Sequence, residues 1–321
     1  MLKSLLTIFA MLCAFAVTPA AAQQPAWPGT VRLIVPFAAG GGTDAFARAI
    51  AAQLGPRLGV TVIVENRAGA GSLIGSAAVA KGPADGSQLL FTSSSLVTAT
   101  ATSRNAQFDV LRDLVPVAFA VDAPLLVALS AKSGIRSPSE LVAAARARPD
   151  ELTFASAGIG SLTQLAEELL LDAAKIRMRH IPYKGTAPAL LDVATGTVDL
   201  TIGSYSALVA QFQSGRVIPI AVTTLAASAA FPNLPTMASS APGYNVSIWY
   251  GMFAPAGLPA PMVQRLHREI VDIARSAELK PMMKDEGGAV VEAGPEELSR
   301  RVRDEYALWK KLATEKQLVI D

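Results

Sequence analysis

The stretch Val31-Arg32-Leu33-Ile34-Val35-Pro36-Phe37-Ala38-Ala39-Gly40-Gly41-Gly42-Thr43-Asp44-Ala45-Phe46-Ala47-Arg48-Ala49-Ile50 decides the fold. An apolar run reads into Pro-Phe, crosses three glycines, and meets a pattern with Phe46, Ile50 and Leu54 on one side. That is a strand, a tight turn and a helix. Glycine lets the backbone take positive φ and lets a ligand approach closely. A helix that begins right after the glycines presents unpaired N–H groups and the positive end of its dipole. Together these make a seat for an anion, most simply a carboxylate. The same turn could equally be a plain connection, with Thr43 or Asp44 as N-cap. It is not a phosphate-binding P-loop, because no Gly-Lys-Ser/Thr follows the glycines. The contiguous glycines also miss the dinucleotide spacing, and Asp44 would set a carboxylate against any phosphate.

Outward from this stretch, Val60 to Asn66 is β-branched and predicts the next strand. Arg67-Ala68-Gly69-Ala70-Gly71-Ser72 is a second glycine-rich turn, Leu73 to Lys81 a helix, and Leu89 to Thr92 a third strand ending in Ser93-Ser94-Ser95. This β-α-β-α-β order predicts a parallel sheet with helices on its faces. Leu114 to Leu129 reads as two strand pieces joined at Asp122-Ala123-Pro124. The opening pattern then returns: Leu152 to Ala155 as strand, Ser156-Ala157-Gly158-Ile159-Gly160-Ser161 as turn, and a helix from Leu162 to Ala174. Val198 to Gly203 predicts a strand ending at Ser204-Tyr205-Ser206. Ser247 to Phe253 predicts a strand returning towards the first half, and Met262 to Ala277 and Glu296 to Lys311 predict closing helices.

The first residues read as an export signal. Lys3 precedes an apolar run from Leu5 to Val17, and Ala20-Ala21-Ala22-Gln23 supplies small residues for cleavage after Ala22. The run is too short to span a membrane comfortably. The single cysteine, Cys13, lies inside this leader, so the expected mature chain has no thiol, disulfide or cysteine metal site. Of 321 residues, 22 belong to the leader, which leaves 299 for one large or two medium domains. The chain carries a net charge of +2, which becomes +1 without Lys3, and its basic residues never cluster with aromatics. That excludes a nucleic-acid binder.

Ligands on open parallel sheets sit beyond the strand C-termini, where the glycine turns lie. Two lobes facing each other would bring the Gly40–Gly42 and Gly158–Gly160 turns to one ligand. Such a site binds an anion through backbone donors and hydroxyls without an arginine, since charge-assisted hydrogen bonds are strong.

The chain resembles the Bug family, also called TctC-like: the extracytoplasmic solute receptors of tripartite tricarboxylate transporters. The residues that carry the resemblance are Trp27-Pro28, Val35-Pro36-Phe37 with Gly40-Gly41 and Asp44, and Val64 to Gly71. Further matches are Ser156 to Ser161, Pro182-Tyr183-Lys184-Gly185, Leu234-Pro235-Thr236 and Trp249-Tyr250-Gly251. The resemblance implies an α/β, type II periplasmic-binding-protein-like fold, with two α/β lobes on a two-strand hinge closing over a ligand cleft. By that analogy, residues 23–123 plus 247–321 form one lobe and 124–246 the other. It also implies a periplasmic, monomeric protein that captures a small carboxylate (a di- or tricarboxylate, an amino acid or an aromatic acid). Its partners would be the membrane components of the transporter or a sensor protein, and it would need no cofactor, metal or catalytic group.

The family's binding positions map residue by residue. Phe37, Ala38, Gly41, Gly42, Thr43 and Asp44 would wrap one carboxylate, with Asp44 accepting from an ammonium group or water. Ser156, Gly158, Gly160 and Ser161 would form the second seat, and Tyr183, Lys184 and Gly185 the cleft rim. Ser94 and Ser95 would offer hydroxyls. Ser204 stands where relatives often have Asp, and Gln164 where they commonly have His. The competing reading is an exported hydrolase, which would need a nucleophile that the chain does not advertise. There is no G-x-S-x-G, no H-E-x-x-H, and the two histidines, His180 and His267, read as structural.

Overall fold

The computed structural model describes residues 27–40, 42–183 and 185–318. The leader, Gly41 and Lys184 lie outside the described residues.

The chain forms two five-stranded sheets, each wrapped by helices. The first half of sheet one follows the predicted alternation: β1 (Thr30–Val35), α1 (Gly42–Leu58), β2 (Thr61–Asn66), α2 (Leu73–Ala80) and β3 (Gln88–Ser93). Then come α3 (Ser95–Thr102) and β4 (Leu114–Pro124). The chain passes through Leu125 into the second sheet, made of β5 (Leu126–Ser130), β6 (Thr153–Ser156), β7 (Arg179–Pro182), β8 (Leu200–Gly203) and β9 (Val217–Val222). Its helices are α4 (Pro138–Ala147), α5 (Leu162–Ala174), α6 (Thr186–Thr195) and α7 (Tyr205–Gln213). The chain returns as β10 (Ser247–Pro255) and closes with α8 (Ala260–Ala274), α9 (Leu279–Glu286) and α10 (Pro295–Glu315).

Sheet one has the order β2-β1-β3-β10-β4, and sheet two β7-β6-β8-β5-β9. β1 pairs in parallel with both β2 and β3. The parallel run expected of the first three strands is present, and the returning strand adds an antiparallel part. β10 arrives from the far sheet and inserts antiparallel between β3 and β4. Its register with β4 runs from Ser247 opposite Pro124 to Pro255 opposite Leu114, so these two strands stay paired up to the point where the chain changes sheets.

Two helices escaped sequence reading. The run of α3, Ser-Leu-Val-Thr-Ala-Thr-Ala-Thr, is rich in β-branched residues that favour strands. It is helical because Leu96, Val97, Ala99 and Ala101 are buried against the core and because the hydroxyls of Thr98, Thr100 and Thr102 donate to carbonyls one turn back. α7 has one buried residue, Leu208, and too little periodicity to announce itself.

The crossing is fixed by aromatic packing and charge. Trp249 on β10 stacks on Phe119 of β4 with centroids 4.2 Å apart and planes 7° from parallel. From α10, Arg301 clamps Asp122 with both terminal nitrogens, at 2.7 and 3.1 Å, and reaches Ser247 at 3.0 Å. Its Nε donates to Glu305 at 2.9 Å, and the other Glu305 oxygen accepts from the Trp249 indole at 2.9 Å. The network binds the ends of β4 and β10 to α10 and holds the Arg301 guanidinium 5.6 Å from the Phe119 ring centre.

Candidate functional site

Where the two sheets face each other, a cavity of about 570 Å³ opens. One wall is Phe37, the Ala70–Leu73 turn and the inner face of α3 at Ser95, Thr98, Ala99 and Thr102. The opposite wall is the Ala157–Thr163 turn, Gly185-Thr186 and Gly203-Ser204, with Leu125 and Ile248 from the crossing segments. Among its described lining residues there is no Asp, Glu, Lys, Arg or His.

Four helices begin at this cavity. At α3, α6 and α7, the N-cap residues Ser94, Gly185 and Ser204 give no side-chain cap. At α7 the backbone N–H groups of Tyr205 and Ser206 donate to the Glu286 carboxylate and Ala207 N to Ser204 O, and at α3 Ser95 N donates to Ser93 Oγ and Val97 N to Ser94 O, so the open first-turn N–H groups are at α6 and at Leu96 of α3. At α5, Ser161 caps through its hydroxyl, accepting from Gln164 N, yet the first-turn N–H groups of Leu162 and Thr163 still lack partners within the helix. Each such terminus favours a nearby anion by about 0.3–1 kcal/mol, and more where water is excluded. The rest of the lining is apolar or hydroxylic. The Thr98 and Thr102 hydroxyls donate to helix carbonyls, so these two side chains offer the cavity methyl groups and lone pairs rather than donors.

The structure sorts the predicted site residues. Phe37, Ser95, Gly160, Ser161, Gly185 and Ser204 line the cavity. Ala38, Gly42, Thr43, Asp44, Ser156, Gly158 and Tyr183 are not among its lining residues, and Ser94 lines a larger groove beside the crossing strands. Gly41 and Lys184 lie outside the described residues. Sequence reasoning missed the contribution of α3 at Thr98, Ala99 and Thr102, because it did not foresee the helix, and the two crossing residues Leu125 and Ile248.

Asp44 organises the first turn. Its carboxylate accepts from Gly40 N, Arg48 Nε and Asn66 Nδ2, each at 2.9 Å. The Arg48 hydrogen bond, against the opposing effect of burial, holds its pKa down at about 2. Asn66 also donates to Phe37 O at 3.1 Å. The acid and the amide therefore fix the loop that presents Phe37 to the cavity. The start of α1 faces another carboxylate of the chain. A side chain at Gly42 would sit 3.4 Å from Ser206 Oγ and from Tyr250 Oη, and 3.8 Å from Glu286 Oε1. Glu286, on α9 of sheet one, thus meets the N-terminus of α7 on sheet two. It is buried, and burial raises its pKa although Ser206 and the nearby backbone N–H groups oppose the rise.

The second turn rests on a directed hydrogen-bond chain. Gly160 N donates to Gln164 Oε1 at 2.7 Å, which fixes the orientation of the Gln164 amide. Gln164 Nε2 therefore donates to His180 Nδ1 at 3.2 Å. The proton of neutral His180 then sits on Nε2 and is donated to Ser156 Oγ at 2.6 Å. His180 stacks on Phe154 with centroids 4.8 Å apart, and burial lowers its pKa to about 4. Ser161 Oγ donates to Gly158 O at 2.6 Å, and Ala157 N donates to Thr163 Oγ1 at 2.9 Å. Every polar group in these bonds holds the turn itself. Tyr183 is similarly engaged: its hydroxyl donates to Asp192, and burial with that partner raises its pKa to about 12.

A larger groove of about 1000 Å³ lies beside the crossing strands and is bordered by Asp122, Arg301 and Glu305. Asp122, Arg301 and Glu305 are paired with one another there, and Lys280 and Lys284 also line it.

Residues 46–318 match a family model described as "Tripartite tricarboxylate transporter family receptor". The chain is 37% identical over 287 residues to the "UPF0065 protein in tcbD-tcbE intergenic region" of Pseudomonas sp. (strain P51), covering 89% of this chain and 85% of that one. Among solved structures, "R. palustris Rpa4515 with adipate" superposes with a TM-score of 0.81 at 33% identity, covering 90% of this chain and 97% of that one. The "periplasmic binding protein BugD" superposes with a TM-score of 0.79 at 34% identity, covering 91% and 99%.

Proposed function

The chain belongs to the tripartite tricarboxylate transporter receptor family, and from the geometry of its cavity we propose that it captures a small dicarboxylate between its two lobes and releases it unchanged to a membrane transporter. One observation carries the reading: the N-termini of α3, α5 and α6 open on a cavity whose described lining bears no charged side chain, while that of α7 is taken by Glu286. Backbone dipoles favour an anion there, and no lining carboxylate repels it. Donors on the α5 and α6 side and on the α3 side suit one carboxylate each. The apolar surface of Phe37, Leu73, Leu125 and Ile248 suits a methylene body. The relative that superposes with a TM-score of 0.81 carries adipate, a ligand of this chemistry.

In this reading the lobes are residues 23–123 with 247–321, and 124–246, and they hinge at the paired ends of β4 and β10. The protein works as a monomer in the periplasm after loss of its leader. A sensor protein that recognises the closed form is the alternative partner.

The short Ser156–His180 pair gives no support to a hydrolase. A general base must accept the nucleophile's proton, whereas His180 Nε2 donates to Ser156. Ser156 is fully buried and does not line the cavity.

Thermal unfolding of the mature protein in a panel of mono-, di- and tricarboxylates tests the proposal. A dicarboxylate at 100 times its Kd is expected to add roughly 2.7 kcal/mol of stability. A panel in which no carboxylate moves the transition would overturn it.

A further inference from the structure

Beside the ligand cavity lies a second chamber of about 460 Å³. Ala70, Leu73 and Ser103 belong to the walls of both. Beyond them, the chamber runs along one stripe of α2 and the turn that precedes it: Ala70, Leu73, Ile74, Ala77, Ala78 and Lys81. This is the i, i+3, i+4, i+7, i+8, i+11 spacing of a single helix face. The facing wall is polar, with Ser103, Asn105 and Gln107.

Three features of this chamber bear on a ligand. Ile74 is 57% exposed, a large apolar side chain left open on a helix that is otherwise well buried. The turn at the junction is strained, with Ala70 at φ 47° and Ser72 at φ 104°, values that non-glycine residues avoid. Strain of this kind persists where the surroundings impose it and clusters at ligand clamps. Here it puts Ala70, a small residue, on the wall that the two spaces share. Finally, the only charged side chain on the chamber wall among the described residues is Lys81, at its far end. Gln107 Oε1 accepts from Lys81 Nζ at 3.3 Å, and Lys81 also acts on Asp113, whose carboxylate is already held by Arg112.

We propose that this chamber is a side-arm of the ligand site, which takes the distal chain and terminal carboxylate of a long α,ω-dicarboxylate and sets that carboxylate against Lys81. The inference rests on the carboxylate-binding reading above and adds the ligand's length and its second charge partner. One carboxylate stays at the helix N-termini of the main cavity. The methylene chain passes Ala70 and lies on Leu73, Ile74 and Ala78. From Leu73 to Lys81 the helix rises roughly 12 Å, which adipate cannot span in addition to the main cavity. A cavity with no charged side chain among its described lining residues, followed by one cation, selects two separated charges over one.

The test is calorimetric titration of the mature protein with adipate, suberate, sebacate and dodecanedioate, with dodecanoate as the singly charged control. Binding is expected to tighten from adipate to the longer diacids. Ala78→Trp fills the chamber from its rim, and is expected to weaken dodecanedioate by about tenfold or more, as several methylenes lose their burial, while adipate stays within about twofold. Lys81→Gln keeps the fold, and is expected to weaken dodecanedioate roughly three- to fivefold, the value of a partly exposed ion pair, without effect on adipate or dodecanoate. Binding of adipate that falls with each added methylene overturns the side-arm alone. So does an equal effect of Lys81→Gln on dodecanedioate and dodecanoate. Absence of binding by every diacid overturns both the side-arm and the function it rests on.

Discussion

His180 Nε2 lies 2.6 Å from Ser156 Oγ, and the amide of Gln164 on its other side decides which of the two is the donor. Because Gly160 N occupies Gln164 Oε1, the imidazole must accept at Nδ1 and donate at Nε2. A pair with the spacing of a nucleophile and its base is thereby a strut under the second turn.

This strut makes stability depend on pH. Burial lowers the His180 pKa from its ordinary 6.5 to about 4. Between those values the unfolded chain binds a proton that the folded chain refuses, so stability falls as pH drops from about 6.5 to about 4. Protonated His180 also cannot accept from Gln164. His180→Gln is expected to flatten the dependence of the melting temperature over this window, as read by thermal denaturation at a series of pH values. An unchanged slope would refute it.

Asp44 acts in the same direction in a lower pH window. Its pKa is lowered to about 2, so the stability it supplies is complete above about pH 4 and is lost as pH falls through 2. Asp44→Ala strands Gly40 N–H and Asn66 and is expected to cost about 2 kcal/mol in urea unfolding at pH 7. Ligand affinity should fall as well, through release of the Phe37 loop, although Asp44 itself does not line the cavity.

Glu286 is a carboxylate that the fold tolerates at a cost. Its Oε2 is buried with no partner among the described residues, and burial raises its pKa. Folding is therefore penalised where the group must be charged, and the penalty eases as pH falls through its raised pKa. Glu286→Gln is expected to raise the melting temperature at pH 7 and to narrow the difference between pH 7 and pH 5. A lower melting temperature would show instead that the charge at the α7 N-terminus outweighs its burial.

Arg301 is the most consequential charge at the crossing. Arg301→Leu leaves Asp122 and Glu305 facing each other with no cation between them, and is expected to cost about 3 kcal/mol. Chemical denaturation measures it. The double change Arg301→Leu with Glu305→Leu should recover part of the loss, because it removes a stranded charge as well.

Ser204 tests the charge logic of the ligand site. Ser204→Asp places a carboxylate on a lining that has none among the described residues. Dicarboxylate affinity is expected to fall by at least about tenfold in titration calorimetry, as like charges meet in a low-dielectric cleft. Ser204→Asn, of similar size and neutral, should bind nearly as well as the parent.

The sequence by itself determined the elements that local pattern can specify. The run from Val31 to Ile50 announced strand, turn and helix, and the repeat of that pattern at Ser156 to Ser161 announced a second glycine turn. Motif order carried the family. Periodicity and glycine spacing report the backbone of one segment, and for such elements one segment is enough. Only the tertiary structure decided which groups face the ligand. Asp44 and Ser156 sit beside glycine turns, as binding residues would, yet Asp44 bonds Arg48 one helical turn on and Asn66, and Ser156 bonds His180, the last two brought in from other strands. The helix α3, written in β-branched residues, became a cavity wall because burial of Leu96, Val97 and Ala101 outweighs its local preference. The direction of a side chain depends on neighbours that are distant in sequence, and those neighbours exist only once the two sheets have packed.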